Sequence, residues 1–432
     1  MSDEPVTLDL RVVTPMFSGG AEPRGGLPEL RAELRVQSVR GAMRWWLRAL
    51  LAGCGVAGRD FTSSDALWRE EAKVFGSVTY KERDNGPEQG GASPITLRLT
   101  DHTGPRDVRE VVKVGRNPRL IAGQDYLLYG MHEQTGRNSA PARRAYQPGA
   151  AFDLHLDWRP GVERDSQQLY ACAALWLLTS LGGLGARSRR GAGSLSVVKH
   201  SKTWPEQLPS PALAASPKEL QQQLQAGVRS IRKLVSSSYD YHDLPSGSPI
   251  NPEVSPYTVL HPDYTTIYVF DRVWRKWEDA MDEVGRAFAQ FRSEDIADDN
   301  VAITNFLKNG TPPKQIERAT FGLPLAFYFP QTRDRVGISW DDGTSKETRS
   351  ASPVMLHFSP VGRDIALVLT IAYRDLLPAN RQLQIKAGGR PLKIDPPSND
   401  LASTLLDDFK VGLEDRLNAD ALQIAYRQEA QP

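Results

Sequence analysis

Hydrophobic and polar positions along this chain follow two different periods, and the switches between them mark out its elements. Val6 to Thr14 alternates strictly, with Leu8, Leu10 and Val12 facing one way and Thr7, Asp9 and Arg11 the other, the two-residue period of a half-buried strand. From Ser38, which suits an N-cap, the period lengthens to that of a helix reaching about Ala52, with Gly53 and Gly55 just beyond. Val39, Met43, Trp46, Leu47 and Leu50 fall on one face of that helix, and Arg40, Arg44 and Arg48 recur every fourth residue along a flank. Three like charges in such a row repel unless an anion or an acid neutralises them. Trp45 beside the row reads as rim packing, with base stacking as the alternative.

The same reading continues toward residue 200. Ile95 to Leu99 and Val108 to Val114 are expected strands, Asp125 to Gly130 a short buried segment, and Phe152 to Trp158 alternates again with Asp153, His155 and Asp157 turned away from the core. Asp165 to Leu181 predicts a helix capped by Asp165 or Ser166, apolar at Leu169, Ala173, Trp176, Leu177 and Leu181 and stopped by Gly182. Ser194 to Lys199 is the strand after it. Strand, helix, strands, helix, strand fits an α+β, ferredoxin-like domain with insertions over residues 1–203, its antiparallel sheet covered by two helices.

Between that second helix and the last strand lies Gly182–Ser194, GGLGARSRRGAGS, with five glycines, three arginines and no acid. Dinucleotide and P-loop sites run strand, loop, helix, so that phosphate rests on the positive end of a helix. Here the loop leaves the negative end instead. The match by spacing at Gly183, Gly185, Gly191 and Gly193 is therefore set aside as a nucleotide motif, and Arg187, Arg189 and Arg190 must supply any attraction for an anion. A solvated basic turn is the bland reading. Arg24, Arg137, Arg143 and Arg144, in other basic loops, are secondary candidates for the same ligand.

In the second half, residues 202–217 are proline-rich and read as a linker. Pro217 to Val235 and Asp271 to Phe291 have helical periods, Ala319 to Phe329 and Ile365 to Tyr373 look like strands, Asp342-Gly343 is a hairpin turn, and Asp400 to Tyr426 closes with helix. Residues 204–432 are thus expected to form another α+β, ferredoxin-like domain. Residues 82–94 and 236–256 read as loop insertions without an assigned role.

Composition adds less than pattern. The 432 residues are 40% hydrophobic and 24% charged, as in globular proteins, and net charge is +1. That balance hides an asymmetry: residues 1–200 carry an excess of five basic groups and residues 201–432 an excess of four acids. An anionic partner belongs with the first half, and protein neighbours with the second. Of 53 basic residues 39 are arginine, whose planar fork suits phosphate and stacks on bases. No apolar run reaches the roughly 18 residues of a membrane span, MSDEPVTLDL is no leader, and Cys54 and Cys172 have no metal spacing, so the expected setting is the cytoplasm.

The phrases TPMFSGG at 14–20, RVQSVRGAMRWWLRAL at 35–50, EEAKVFGS at 70–77, YLLYG at 126–130, the glycine loop, GLPLAFYF at 322–329 and RSASPVML at 349–356 together carry a family resemblance. In this order they resemble the RAMP superfamily of CRISPR proteins, and within it the subunits that cap type III-B effectors. That resemblance implies two ferredoxin-like, RRM-like domains and a role in antiviral defence. The subunit would bind guide or target RNA near the guide 3′ end without cutting it, beside other RAMP subunits, with no cofactor, metal or membrane. It carries over onto Gly183, Gly185, Gly191, Gly193, Arg187, Arg189 and Arg190, and onto Arg40 and Arg44.

Two other readings compete. Some RAMP proteins cleave CRISPR RNA with histidine as general acid or base, and His132 is the candidate for such metal-independent cleavage, since His155 and His357 lie on strand-like stretches as ordinary surface or edge residues. His242-Asp243 matches a phosphohydrolase dipeptide without further ligands. A scaffold without RNA contact would leave the loop arginines unexplained.

Overall fold

The computed structural model describes residues 4–19, 32–54, 64–81, 88–104, 106–111, 123–131, 142–159, 165–238, 260–329, 332–341, 347–373, 377, 381–387 and 391–425. The first half forms β1 (Val6–Val12), α1 (Val36–Gly53), α2 (Ser64–Phe75), β2 (Ser77–Lys81), β3 (Glu88–Gly91), β4 (Ile95–Asp101), β5 (Val108–Glu110), α3 (Gly123–Leu127), β6 (Arg144–Tyr146), β7 (Ala151–Trp158), α4 (Asp165–Leu181) and β8 (Leu195–His200). Four of these strands make an antiparallel sheet in the order β4-β7-β1-β8. The alternation legible in the sequence survives: Leu8, Leu10, Phe152, Leu154 and Leu156 point into the core. On the opposite face Arg98 pairs with Asp157, His102 with Asp153, and the His155 ring sits between the hydroxyls of Thr7 and Thr100.

Two helix expectations change. α1 begins at Val36 with Arg35 in the N-cap position and no side-chain cap; Ser38 lies inside the first turn, its N–H bonded to the Arg35 carbonyl. α4 is buried all round from Tyr170 to Thr179 rather than along one stripe, because α1, α2, α5 (Pro217–Ser238) and the second half all pack on it. The stretch read as a linker is also packed. Trp204, Leu208 and Ala214 are buried, the Trp204 indole donates to the Pro209 carbonyl, and Ala214 bridges to Val361.

The second half forms β9 (Thr265–Trp274), α6 (Trp277–Gln290), α7 (Asp298–Asn309), β10 (Leu325–Phe329), β11 (Asp334–Asp341), β12 (Glu347–Thr348), β13 (Val354–Val361), β14 (Asp364–Ala372), β15 (Leu383–Lys386), β16 (Leu392–Ile394), α8 (Asn399–Leu417) and β17 (Ala421–Gln423). Its main sheet runs β13-β14-β9-β17. Counted within the unit, that is second, third, first, fourth, the same order as the first sheet. β10, β11, β12, β15 and β16 form a separate sheet over a small core that includes Phe306, Val336, Ile338 and Ile385.

Three sequence expectations fail here for related reasons. Asp271–Trp274 belongs to β9 rather than to a helix over 271–291, which starts only at Trp277. β9 is covered on both faces: Ile267 and Val269 join the core shared with the first half, while Tyr268 and Phe270 join the core under α6 and α8. A strand buried on both sides loses the two-residue alternation that would announce it. The closing helix stops at Leu417, where Asn418 takes a left-handed conformation (φ 47°) and the chain returns as β17, the fourth strand. Ala319–Phe329 is a 3-10 turn through Phe321, a cis Leu323–Pro324 bond and then β10, not one strand. The expected Asp342-Gly343 turn, and residues 82–87 and 239–256 of the two expected insertions, lie outside the described residues.

Candidate nucleic-acid interface

The glycine loop between α4 and β8 is a seam between the two halves. On one side Ala186 N–H donates to Phe17 O, Gly193 N–H to Pro15 O, and the Thr14 hydroxyl to Gly191 O. On the other, Arg190 bridges to Leu356 of β13, Leu356 N–H donates to Arg189 O, and Phe358 N–H donates to the Ser194 hydroxyl. A loop stitched to two partners has no room for side chains at its crossing points. Gly193, at φ 66°, is the sharpest case: a Cβ there would stand 1.9 Å from Leu184 O. Gly183 lies against Gly193, Gly185 against Phe17 and Gly191 against the Phe358 ring, so the glycines serve close approach of neighbouring chain.

The three loop arginines divide. Arg187 is exposed and stands 5.8 Å from the centroid of Tyr129, itself 70% exposed. Partial burial lowers its pKa, and the groups that also act on its charge, Tyr129, Arg349, Tyr126 and Arg143, include no acid. Arg189 lies over Trp45 of α1 at 5.2 Å and donates at 2.6 Å to Ser352 O. Arg190 turns inward, 4.4 Å over Phe288 with one N–H to Phe321 O, and burial pushes its pKa down to about 10. The first two stand beside aromatic rings near the surface, and Arg190 holds the seam.

The row on α1 divides as well. Arg44 and Arg48 reach Glu71 of α2 at 3.1 and 3.0 Å, and Arg44 also donates to the carbonyls of Phe75 and Gly76. Glu71 is the acid that relieves the row, so these two guanidinium groups are committed to the α1–α2 contact. Arg40 pairs with no carboxylate among the described residues; burial and the nearby Arg44 and Arg159 lower its pKa. Of the secondary candidates, Arg143 is half-buried and Arg144 exposed at the start of β6, and Arg24 and Arg137 lie outside the described residues.

His132 and His242 also lie outside the described residues. His357, expected at the surface or an edge, is instead buried beneath the loop. Its Nδ1–H donates to Gly182 O at 2.7 Å, and burial pushes its pKa down to about 4.

Beside the loop opens a cleft of about 210 Å³ between α1 and the α4 end, lined by Trp45, Trp46, Gly182, Gly183, Ser188, Arg189 and Met355. Periodicity along α1 favoured packing over base stacking for Trp45, and Tyr129 lies in the YLLYG phrase, where spacing gives it no role. Neither aromatic can be linked to an arginine dozens of positions further along by pattern alone.

Known proteins share this architecture. Residues 9–196 match the RAMP superfamily. The chain resembles Cmr1 proteins in particular. The CRISPR system Cmr subunit Cmr1-2 of Pyrococcus furiosus is 29% identical over 198 residues, 44% of this chain and 92% of that protein. Cmr1-1 of the same organism is 31% identical over 172 residues, 39% of this chain and 42% of that protein. The crystal structure of Cmr1 from Pyrococcus furiosus in its apo form superposes with TM-score 0.54 at 15% identity, covering 97% of this chain and 98% of the other. A chain of the type III-B Cmr-beta complex with cognate target RNA and AMPPnP superposes with TM-score 0.52 at 13% identity, covering 95% and 100%. At these identities the structural likeness is one of fold. Among the described residues no helix is long and apolar enough to cross a membrane.

Proposed function

We propose that this chain is a non-catalytic RNA-binding subunit of a type III-B CRISPR effector, built on two ferredoxin-like units. It acts in the cytoplasm and holds guide or target RNA beside other RAMP subunits. The observation that carries the reading is the pairing of two accessible loop arginines with aromatic rings, Arg187 with Tyr129 and Arg189 with Trp45, next to an open cleft. Cations fix a ribose-phosphate strand and planar groups receive its bases, without need of sequence-specific edges. The names of the related Cmr subunits, and the target RNA in the related complex, support the choice of ligand.

The surroundings of the loop also favour holding over cutting. The described histidine nearest the loop, His357, is enclosed and neutral at physiological pH, with its Nδ1–H occupied by a carbonyl. General acid–base chemistry needs a group that reaches the substrate and titrates near neutrality.

The test is anisotropy of a labelled single-stranded RNA titrated with purified protein at several salt concentrations. Arg187→Ala with Arg189→Ala should weaken binding to all sequences and make the plot of log K against log salt shallower by about 0.7 for each phosphate no longer neutralised. No RNA fragments should appear, with or without chelator. Absence of any salt-dependent binding by the native chain would refute the reading, and discrete fragments that disappear on His132→Ala would replace it with cleavage.

A further inference from the structure

The cleft at the loop has a chemistry of its own. Trp46 is 3% exposed, packed edge-on to Trp45 at 5.0 Å, and among the described residues nothing accepts a hydrogen bond from its indole N–H. The ring is enclosed, but Nε1 is not among the buried polar atoms left without a partner, so its N–H reaches the space of the cleft. The geometry shows where its partner would come from. Nε1 faces Gly182, where a Cβ would stand 2.5 Å away; with glycine at that position, the N–H edge is left uncovered at the wall of the cleft.

Three further groups converge on the same space. Trp45 offers an indole surface, the Arg189 guanidinium lies over that ring, and Ser188 brings a hydroxyl with no partner among the described residues. At about 210 Å³ the cleft is smaller than the roughly 300–1,000 Å³ of sites for drug-sized ligands. It suits one planar ring, and both indole and guanidinium are surfaces on which an unstacked base lies.

We propose that this cleft is a subsite for one unpaired, carbonyl-bearing nucleobase (uracil, guanine or cytosine rather than adenine) of the RNA held at the loop. This rests on the RNA-binding reading above and gives it a specificity. Trp46 N–H and the guanidinium only donate, so the edge they select must accept. Carbonyl oxygens of uracil, guanine and cytosine do so; adenine has no carbonyl, and its amino group flanks both N1 and N7, which sets a donor against one of two neighbouring donors. Met355, from β13 of the second half, closes the far wall, so the subsite exists only when the two halves are docked.

The experiment compares short labelled oligouridine and oligoadenosine RNAs on the full chain by anisotropy, together with crosslinking of RNA carrying 4-thiouridine, whose sulfur replaces one keto oxygen. The native protein should prefer oligouridine by on the order of ten-fold, with the photoadduct on the α1 peptide holding Trp45 and Trp46. Trp46→Phe deletes the donor and keeps the ring; it should bring oligouridine down to the oligoadenosine level and leave oligoadenosine unchanged. Ser188→Leu obstructs the cleft without touching the core and should do the same, which covers the case of a poorly folded Trp46 variant. Equal affinities for the two RNAs with adducts elsewhere would overturn the subsite and leave RNA binding intact. Failure to bind either RNA would remove both proposals.

Discussion

The guanidinium of Arg190 lies 4.4 Å over the ring of Phe288, joining a loop of the first half to α6 of the second. Its Nη1 has no hydrogen-bond partner, and its pKa falls to about 10 because burial disfavours the charge. Shape and stacking therefore count for more here than charge. Arg190→Ala, which leaves a hole at the seam, should cost about 2–4 kcal/mol. Arg190→Met, of similar length and neutral, should cost under about 1 kcal/mol. Urea melts of both variants check this, and neither should alter the salt dependence of RNA binding.

Glu71, 2% exposed, receives Arg44 and Arg48 from the adjacent helix. Removing a buried acid leaves two guanidinium groups facing each other across an apolar contact. Glu71→Ala should lower stability by on the order of 2 kcal/mol, less than for a fully enclosed pair because the arginines remain about a quarter exposed. Thermal melts should show this loss for Arg44→Ala as well, whereas Arg40→Ala should leave the melting temperature near native and weaken RNA binding.

His357 should make stability depend on acidity. Its folded pKa of about 4 lies below the ordinary value near 6.5, so between these the unfolded chain holds more protons. Stability is then fully present above pH ~6.5 and declines as pH falls toward 4, by at most about 3 kcal/mol. His357→Gln, which can still donate to Gly182 O, should flatten that part of the curve in denaturant melts from pH 7 to 4.

Glycines with positive φ should separate by what surrounds them. At Gly310, which ends α7 at φ 72°, no atom stands within 4 Å of an added Cβ, so Gly310→Ala should cost about 1–2 kcal/mol from conformation alone. At Gly193 the added carbon meets Leu184 O at 1.9 Å, so Gly193→Ala should cost more than about 3 kcal/mol and reduce soluble yield. Parallel expression and thermal melts of the two variants decide it.

Much of the first unit was legible because its sheet has one wet face. β1 and β7 alternate, and α1 carries one apolar stripe, so their periods follow from backbone geometry: every second and about every fourth residue inward. β9 and α4 lack that contrast because both are enclosed on all sides. The glycine loop was legible as unusual, and its arginines as a set. Their separate employment was not: spacing makes Arg187, Arg189 and Arg190 look equivalent, while the packing of Phe288 and Trp45 around them makes one a seam and two a surface.

What the sequence determined by itself is local: which stretches have a face to bury, where α1 and α4 stop, and that a basic loop follows a buried helix. Each follows from interactions within a few residues, where side-chain direction is set by backbone period. The tertiary structure decided which cations remain accessible, that an acid at position 71 neutralises Arg44 and Arg48 but not Arg40, and that Gly182 leaves the Trp46 N–H uncovered. Those outcomes depend on groups brought together from distant parts of the chain, and desolvation on their meeting fixes which charges stay free.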